Sequence, residues 1–242
     1  MFNIAYKDIE KILRDYQIYA KMNGFSELQR YHYESDDPNS KEVRLIVKIE
    51  LEDAAPIVMR FKNEEGVTIE LIESQSQFAD VLKENGIITP EQYQANEKYA
   101  NWYEIGGYDV IVTVEEFVEN EITVVDEVIA KKTGELLAKT HTIAEQNNLH
   151  VKNEVLFNPF EHNDLFAFDA FMSLRPALLG EDKVLFDKIV DKYNTYMEVL
   201  VPLKKRPRYA TQGDISENNL YISHSGELLR ERQTVPVNLE LR

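Results

Sequence analysis

A polar stretch near the C-terminal end holds the two side chains best suited to chemistry. Asp214 lies in the turn-forming segment 211–216, and Asn219 follows it five residues later. The apolar run Leu220-Tyr221-Ile222 then has the character of a short strand. A carboxylate in such a loop can accept the proton of a hydroxyl group, and an amide oxygen can bind a magnesium ion, as phosphoryl transfer requires. A surface turn rich in Asp, Ser and Asn is the alternative interpretation.

The composition is that of an ordinary globular chain without a membrane span. Of the 242 residues, 43% are hydrophobic and 29% are charged. There is no run of eighteen apolar residues, and the first eight residues lack the basic and apolar blocks of a signal peptide. Because there are no cysteines, disulfides and zinc–thiolate sites are excluded, which fits a reducing compartment. We therefore expect a cytoplasmic protein that does not enter a membrane.

The net charge of the sequence indicates which kinds of partner the protein can bind. At −16, the chain lacks the excess of Lys and Arg that non-specific binding to nucleic acid needs, so we expect no nucleic-acid partner. An acidic surface suits a cationic small molecule, although solubility is the commoner reason for such a charge.

Periodicity divides the chain into a β-rich first half and a helical second half. Helical spacing of apolar residues occurs at 6–22, 69–85, 126–147 and 182–201. Strand-like runs occur at 28–35, 43–51, 57–61, 99–105 and 108–118. Gly24 and Gly86 are predicted to end the first two helices, and Gly106-Gly107 is predicted to be a hairpin turn.

The loop Gln212-Gly213-Asp214-x-x-x-x-Asn219-Leu220 resembles the catalytic loop of the aminoglycoside phosphotransferase and choline kinase family, which has a protein-kinase-like fold. The family loop usually begins with His-Gly-Asp, so Gln212 is a departure. The order of elements matches from about residue 25 to 222. The resemblance implies an α+β, two-lobe fold. The β-rich N-lobe, 1–118, would hold an N-terminal helix, an antiparallel sheet and one internal helix, and 119–242 would form an incomplete helical C-lobe.

The resemblance also implies a nucleotide site that binds ATP or GTP together with Mg²⁺. Arg60, on the third strand, would hold the α- and β-phosphates, with Lys62 as the alternative. A helix carboxylate would pair with this cation, and Glu73 and Glu70 are the candidates.

Three further positions would complete the nucleotide site. Ser40 or its backbone N–H would contact the phosphates, and a plain β-turn is the alternative for that loop. Glu116 and Val118 would meet the base through backbone groups. Asp214 would be the catalytic carboxylate and Asn219 the metal ligand.

The sequence departs from the family after Asn219. A second metal-binding Asp is due about a dozen residues later, but Arg232 lies there and Glu231 is the nearest carboxylate. The family also continues for several helices beyond the length of this chain. We therefore interpret the sequence as a truncated or frame-shifted member, with apolar C-lobe surface left open to self-association.

These observations predict a phosphotransferase-like protein that acts on a small-molecule hydroxyl, such as an aminoglycoside or choline, with impaired activity. A catalytically inactive nucleotide- or metabolite-binding pseudokinase, or a regulatory fragment, is the second hypothesis. A fold unrelated to kinases, with the Asp214 loop as a coincidence, is the third.

Overall fold

A computed structural model describes residues 1–31, 40–119, 122–150, 168–211, 220–222 and 228–230. The strands are β1 (Met22–Tyr31), β2 (Val43–Leu51), β3 (Ile57–Asn63), β4 (Asn101–Ile105), β5 (Tyr108–Glu116), β6 (Leu220–Ile222) and β7 (Leu228–Arg230). The helices are α1 (Tyr6–Asp15), α2 (Ile69–Glu84), α3 (Glu127–Gln146), α4 (Phe168–Ser173) and α5 (Gly180–Leu200). Short 3-10 turns at Arg175–Ala177 and Val201–Lys205 flank α5. Strands thus dominate the first half of the chain and helices the second, as predicted.

The first half is built on a five-stranded antiparallel sheet. Its strand order is β1-β2-β3-β5-β4, so that α2 and β4 are inserted in sequence between the adjacent strands β3 and β5. Gly106 and Gly107 join β4 to β5 with φ values of 59° and 78°, a left-handed conformation that glycine adopts without strain. The predicted hairpin is confirmed.

The main hydrophobic core lies between α1 and one face of this sheet. Ile9 and Ile12 of α1 are fully buried against alternate residues of β2, β3 and β5. Phe61 of β3 is fully buried here, and its ring centroid is 5.6 Å from that of Phe2. The Tyr16 hydroxyl also donates to the Val112 carbonyl at 2.8 Å, which fastens the end of α1 to the sheet.

The prediction of one helix over 6–22, capped by Gly24, is wrong. The helix ends at Asp15, and Gln17 adopts a left-handed φ of 59°. Met22 already lies in β1, and Gly24 lies inside that strand, beside a break in its pairing with β2. Because β1 is an edge strand with mostly exposed side chains, its sequence lacks the alternation that marks a half-buried strand.

Helix α2 connects the sheet to the helical half. Thr68 caps its first turn by accepting the Leu71 N–H at 3.1 Å, and Gly86 follows its last turn with φ 77°, as predicted. Phe78 and Leu82 of α2 belong to a second buried cluster that includes Ile143 of α3. The two halves of the chain therefore share a hydrophobic contact.

The helical half contains the predicted long helices. Asp126 caps α3 by accepting the Ile129 N–H at 2.8 Å. In α5, all of which is described, Phe186 is the only buried residue, while the apolar Leu185 and Ile189 are exposed. Within the described ranges, no helix is long and apolar enough to cross a membrane.

Candidate functional site

Two basic side chains lie on the face of the sheet that looks away from α1. Met59 and Phe61 of β3 face the main core, so alternation puts Arg60 and Lys62 on the opposite face. Both are buried, with only 7% and 3% of their surface exposed. Fully buried basic residues are rare unless they are paired. This face of β3 therefore carries the charged groups of a candidate site.

The Arg60 guanidinium forms an ion pair with a carboxylate of β5. Its Nε–H donates to Glu115 Oε1 at 2.7 Å, and its Nη2 lies 2.6 Å from the same oxygen. Only 8% of the Arg60 side chain and 2% of the Glu115 side chain are exposed. Water hardly screens such a pair, so the attraction is stronger than at a protein surface. Glu115 was not among the residues predicted from the sequence.

The predicted partner of Arg60, Glu73, has a different contact in the structure. Glu73 Oε1 accepts the backbone N–H of Ala100 at 2.6 Å. Ala100 precedes β4 and packs with Ile72 of α2 and Ile111 of β5. Glu73 thus fastens α2 to the sheet, and the expectation that it fixes Arg60 is corrected by the Glu115 pair. Glu70, the other candidate, lies in the first turn of α2 and is exposed.

The end of β5 leads into the segment predicted to meet a base. The Glu116 side chain accepts the Glu91 N–H at 3.1 Å, and its own N–H donates to the Glu91 carbonyl at 2.8 Å. The Phe117 N–H donates to the Pro56 carbonyl at 3.1 Å. Val118 is half-buried, and among the hydrogen bonds of the described residues none involves its backbone. The N–H groups of Glu116 and Phe117 are thus already engaged, and a contact of the Val118 backbone with a base stays a prediction.

The pKa of Tyr93, which lies beside this segment, is shifted by its burial and by the nearby carboxylates. Burial raises the pKa of Tyr93, and the carboxylates of Glu116 and Glu91 raise it further. The phenol therefore stays neutral to a higher pH than a free tyrosine.

Ser40 lines a cavity of about 260 Å³. The lining residues come from the N-terminus, β1, β2 and the start of β5. They include Arg30, Arg44 and Tyr108, but neither Arg60 nor Glu115. The structure therefore gives Ser40 and Arg60 different surroundings, and a phosphate contact by Ser40 stays a prediction.

Asp214 and Asn219 lie outside the described residues, but both flanks of their loop are placed. Thr211, which is buried, has its Oγ1 2.7 Å from His141 Nε2 of α3. Leu220, also buried, packs with Ile122 in a cluster that includes residues of α3. Helix α3 thus contacts the chain on both sides of the predicted catalytic loop. His141 of α3 thus serves as a hydrogen-bond partner at the N-terminal flank of this loop.

The short strand predicted at 220–222 is present as β6, which pairs with β7 as an antiparallel strand. No group of three or more His, Cys, Asp or Glu side chains that could hold a metal ion occurs in the described part of the chain. The predicted ligand Asn219 is not in that part, so the metal site stays a prediction.

The element order and the sheet define a protein-kinase-like α+β fold, of the kind shared by small-molecule kinases and phosphotransferases. The fold class expected from the sequence is confirmed. No protein-family model and no curated protein match the sequence.

Solved structures share the fold at low sequence identity. A microcompartment-associated aminopropanol kinase matches with a TM-score of 0.60 and 12% identity, over 93% of this chain and 69% of its own. The choline kinase LicA from Streptococcus pneumoniae matches with a TM-score of 0.51 and 13% identity, over 93% and 66%. Amicoumacin kinase hAmiN, in complex with AMP-PNP and Ca²⁺, matches with a TM-score of 0.51 and 11% identity, over 93% and 65%. The chain thus spans about two thirds of the length of these structures.

Proposed function

We propose that this protein is an ATP-dependent phosphotransferase-like protein that acts on a hydroxyl group of a small molecule. The observation that supports this best is the buried cation Arg60 on the inner strand β3, within a fold shared by small-molecule kinases. In such a fold a basic residue on this strand meets the nucleotide phosphates. Glu115 supplies the opposite charge that the buried Arg60 needs.

The remaining roles follow from the sequence motifs. The backbone of Val118 would bind the nucleotide base, and the loop that holds Ser40 would approach the phosphates. Asp214 would accept the proton of the acceptor hydroxyl as that oxygen bonds to the γ-phosphorus and ADP departs. Asn219 would bind Mg²⁺, which when present neutralises charge on the phosphates. Most of the rate would come from positioning and from charge neutralisation.

The acceptor is proposed to be a cationic small molecule. The net charge of −16 favours a positively charged substrate over an anionic one. Proteins of the same fold include an aminopropanol kinase, a choline kinase and an aminoglycoside phosphotransferase. Each of these names points to an acceptor that carries an amine or ammonium group beside a hydroxyl.

A nucleotide-binding pseudokinase is the second candidate, and one observation favours it. In the stretch after β7, where a second metal-binding Asp is due, the sequence has Glu231 and Arg232. With Asn219 as the only predicted metal ligand, we expect weak ATP binding with little dependence on Mg²⁺, and weak or absent transfer.

Two measurements test the proposal. Isothermal titration calorimetry with ATP and with GTP, with and without Mg²⁺, reports binding, and release of ADP in the presence of an aminoglycoside, choline or aminopropanol reports transfer. We expect Asp214→Asn to abolish any transfer, while Asp182→Asn, at an exposed position of α5, leaves it unchanged. Binding without transfer would favour the pseudokinase, and transfer unaffected by Asp214→Asn would contradict the assigned role. A protein that binds no nucleotide would contradict both candidates.

A further inference from the structure

The buried face of α2 offers no carboxylate to Arg60. The buried residues of this helix are Ile72, Gln75, Ser76, Phe78, Ala79 and Leu82. Its two polar members, Gln75 and Ser76, are neutral, and Glu73 is bound to the Ala100 N–H. A buried guanidinium needs an opposite charge, so the charge must come from another element.

The strand β5 supplies this charge through fixed backbone geometry. In the antiparallel pairing of β3 with β5, Arg60 is opposite Thr113, and Glu115 is opposite Val58. Because side chains two residues apart on a strand share a face, Arg60 and Glu115 are diagonal neighbours on the same face. The pairing is continuous from Ile57 to Lys62 on β3, so the sheet itself sets the separation of the two charges.

We propose that Glu115 of β5, and not a carboxylate of α2, is the residue that positions Arg60 for the phosphates of a nucleotide. This inference rests on the proposed function and specifies how its cation is held. The orientation of Arg60 is then a property of two adjacent strands. It does not depend on where α2 lies.

The incomplete hydrogen bonding of Glu115 supports a role beyond folding. Its Oε1 takes both contacts from Arg60, while its Oε2 is buried and has no hydrogen-bond partner among the described residues. An unsatisfied buried acceptor lowers stability, and a buried ion pair is often no more stabilising than apolar residues of the same size. The pair is therefore better explained by the orientation it imposes on Arg60.

The position of Glu115 also links the phosphate and base subsites. The residue directly precedes the 116–118 segment that would meet the base. One strand therefore fixes both the cation and the base-binding backbone before a ligand arrives. Such preorganisation reduces the entropy lost on binding.

The test separates binding of the phosphates from binding of the nucleoside. Calorimetry on the 242-residue chain would measure Kd for AMP-PNP and for adenosine in wild type, Glu115→Gln, Glu115→Asp and Glu104→Gln. Glu104 is an exposed carboxylate of the same sheet, so its variant controls for the loss of one negative charge. We expect Glu115→Gln to weaken AMP-PNP binding about tenfold or more, while adenosine binding stays within about twofold.

Glu115→Asp is a second test variant, in case Glu115→Gln does not fold. Asp keeps the charge but shortens the side chain by one methylene, which displaces the guanidinium without leaving it unpaired. We expect a selective loss of AMP-PNP affinity of about fivefold or more, because small displacements of a binding group have large effects. A merely structural role would weaken AMP-PNP and adenosine binding equally.

Besides equal weakening of AMP-PNP and adenosine binding, two results overturn the inference alone. One is wild-type AMP-PNP binding that Glu115→Asp leaves unchanged, and the other is a larger selective loss in Glu73→Gln than in both Glu115 variants. If the wild-type protein binds neither AMP-PNP nor adenosine, the proposed function fails and this inference fails with it.

Discussion

Replacing Arg60 with Met should destabilise the protein far more than replacing Arg60 and Glu115 together. In Arg60→Met the Glu115 carboxylate, only 2% exposed, stays buried without its counter-charge. In Glu115→Leu the guanidinium, 8% exposed, loses the Glu115 counter-charge. Breaking a buried pair from one side costs about 3 to 5 kcal/mol, because a lone charge is poorly solvated there.

The double variant Arg60→Met/Glu115→Leu removes both charges and keeps similar volume. Its free energy of unfolding should lie within about 1 kcal/mol of wild type, since an apolar replacement of a buried pair is often neutral. The two single changes would then be coupled by more than about 3 kcal/mol in a double-mutant cycle.

Urea denaturation followed by the fluorescence of Trp102 measures these energies. Trp102, the single tryptophan of the sequence, lies on β4 beside β5, so its signal reports on the sheet. The exposed pair Arg175–Asp187, in which Nε donates to Oδ1 at 2.8 Å, is a matched control. Arg175→Met should change stability far less than Arg60→Met, because water solvates both of its charges. A double variant as unstable as the sum of its singles would refute the reasoning.

Three further predictions concern the scaffold. Phe61→Ala should cost about 3 to 5 kcal/mol in urea denaturation, since Phe61 is fully buried against Phe2; a loss below 1 kcal/mol would contradict its place in the core. Gly86→Ala should cost about 1 to 2 kcal/mol by the same assay, because φ at Gly86 is 77°; an unchanged midpoint would mean that the turn has relaxed. Burial, and next the hydrogen bond from its hydroxyl to Asp80, raises the pKa of Tyr99 from 10.0 to about 12. The folded state then holds this proton more tightly than the unfolded chain, so its stabilising effect is full below pH 10 and is lost as pH rises to about 12. Tyr99→Phe should flatten that loss when unfolding is measured across this pH range, and an equally steep loss would rule out Tyr99 as its source.

The sequence predicted those features that depend on local periodicity and on special backbone conformations. The buried alternation of β2, the helix end at Gly86 and the turn at Gly106-Gly107 each depend on a few neighbouring residues. The end of α1 was missed because the helical spacing continues past Asp15, and the edge strand that follows has no alternating pattern to oppose it.

The Glu115 partner of Arg60 could not be predicted in the same way. The two residues are 55 positions apart, and they meet only because β3 pairs with β5 across the inserted α2 and β4. One local signal was present. In β5, Val110, Val112 and Val114 alternate with residues of the opposite face, and Glu115 is an acidic residue on that face. The signal identified a face, but the pairing was needed to identify the partner.

The Arg60–Glu115 pair also constrains how this sequence can evolve. A substitution of Arg60 alone passes through a protein in which the buried Glu115 carboxylate has lost its counter-charge, which is strongly disfavoured. Changes at the two positions should therefore be fixed together or not at all, although 55 residues separate them. Among related sequences, position 60 should covary with position 115 and vary independently of position 73. The Arg60 cation and the Glu115 carboxylate would then be conserved or replaced together.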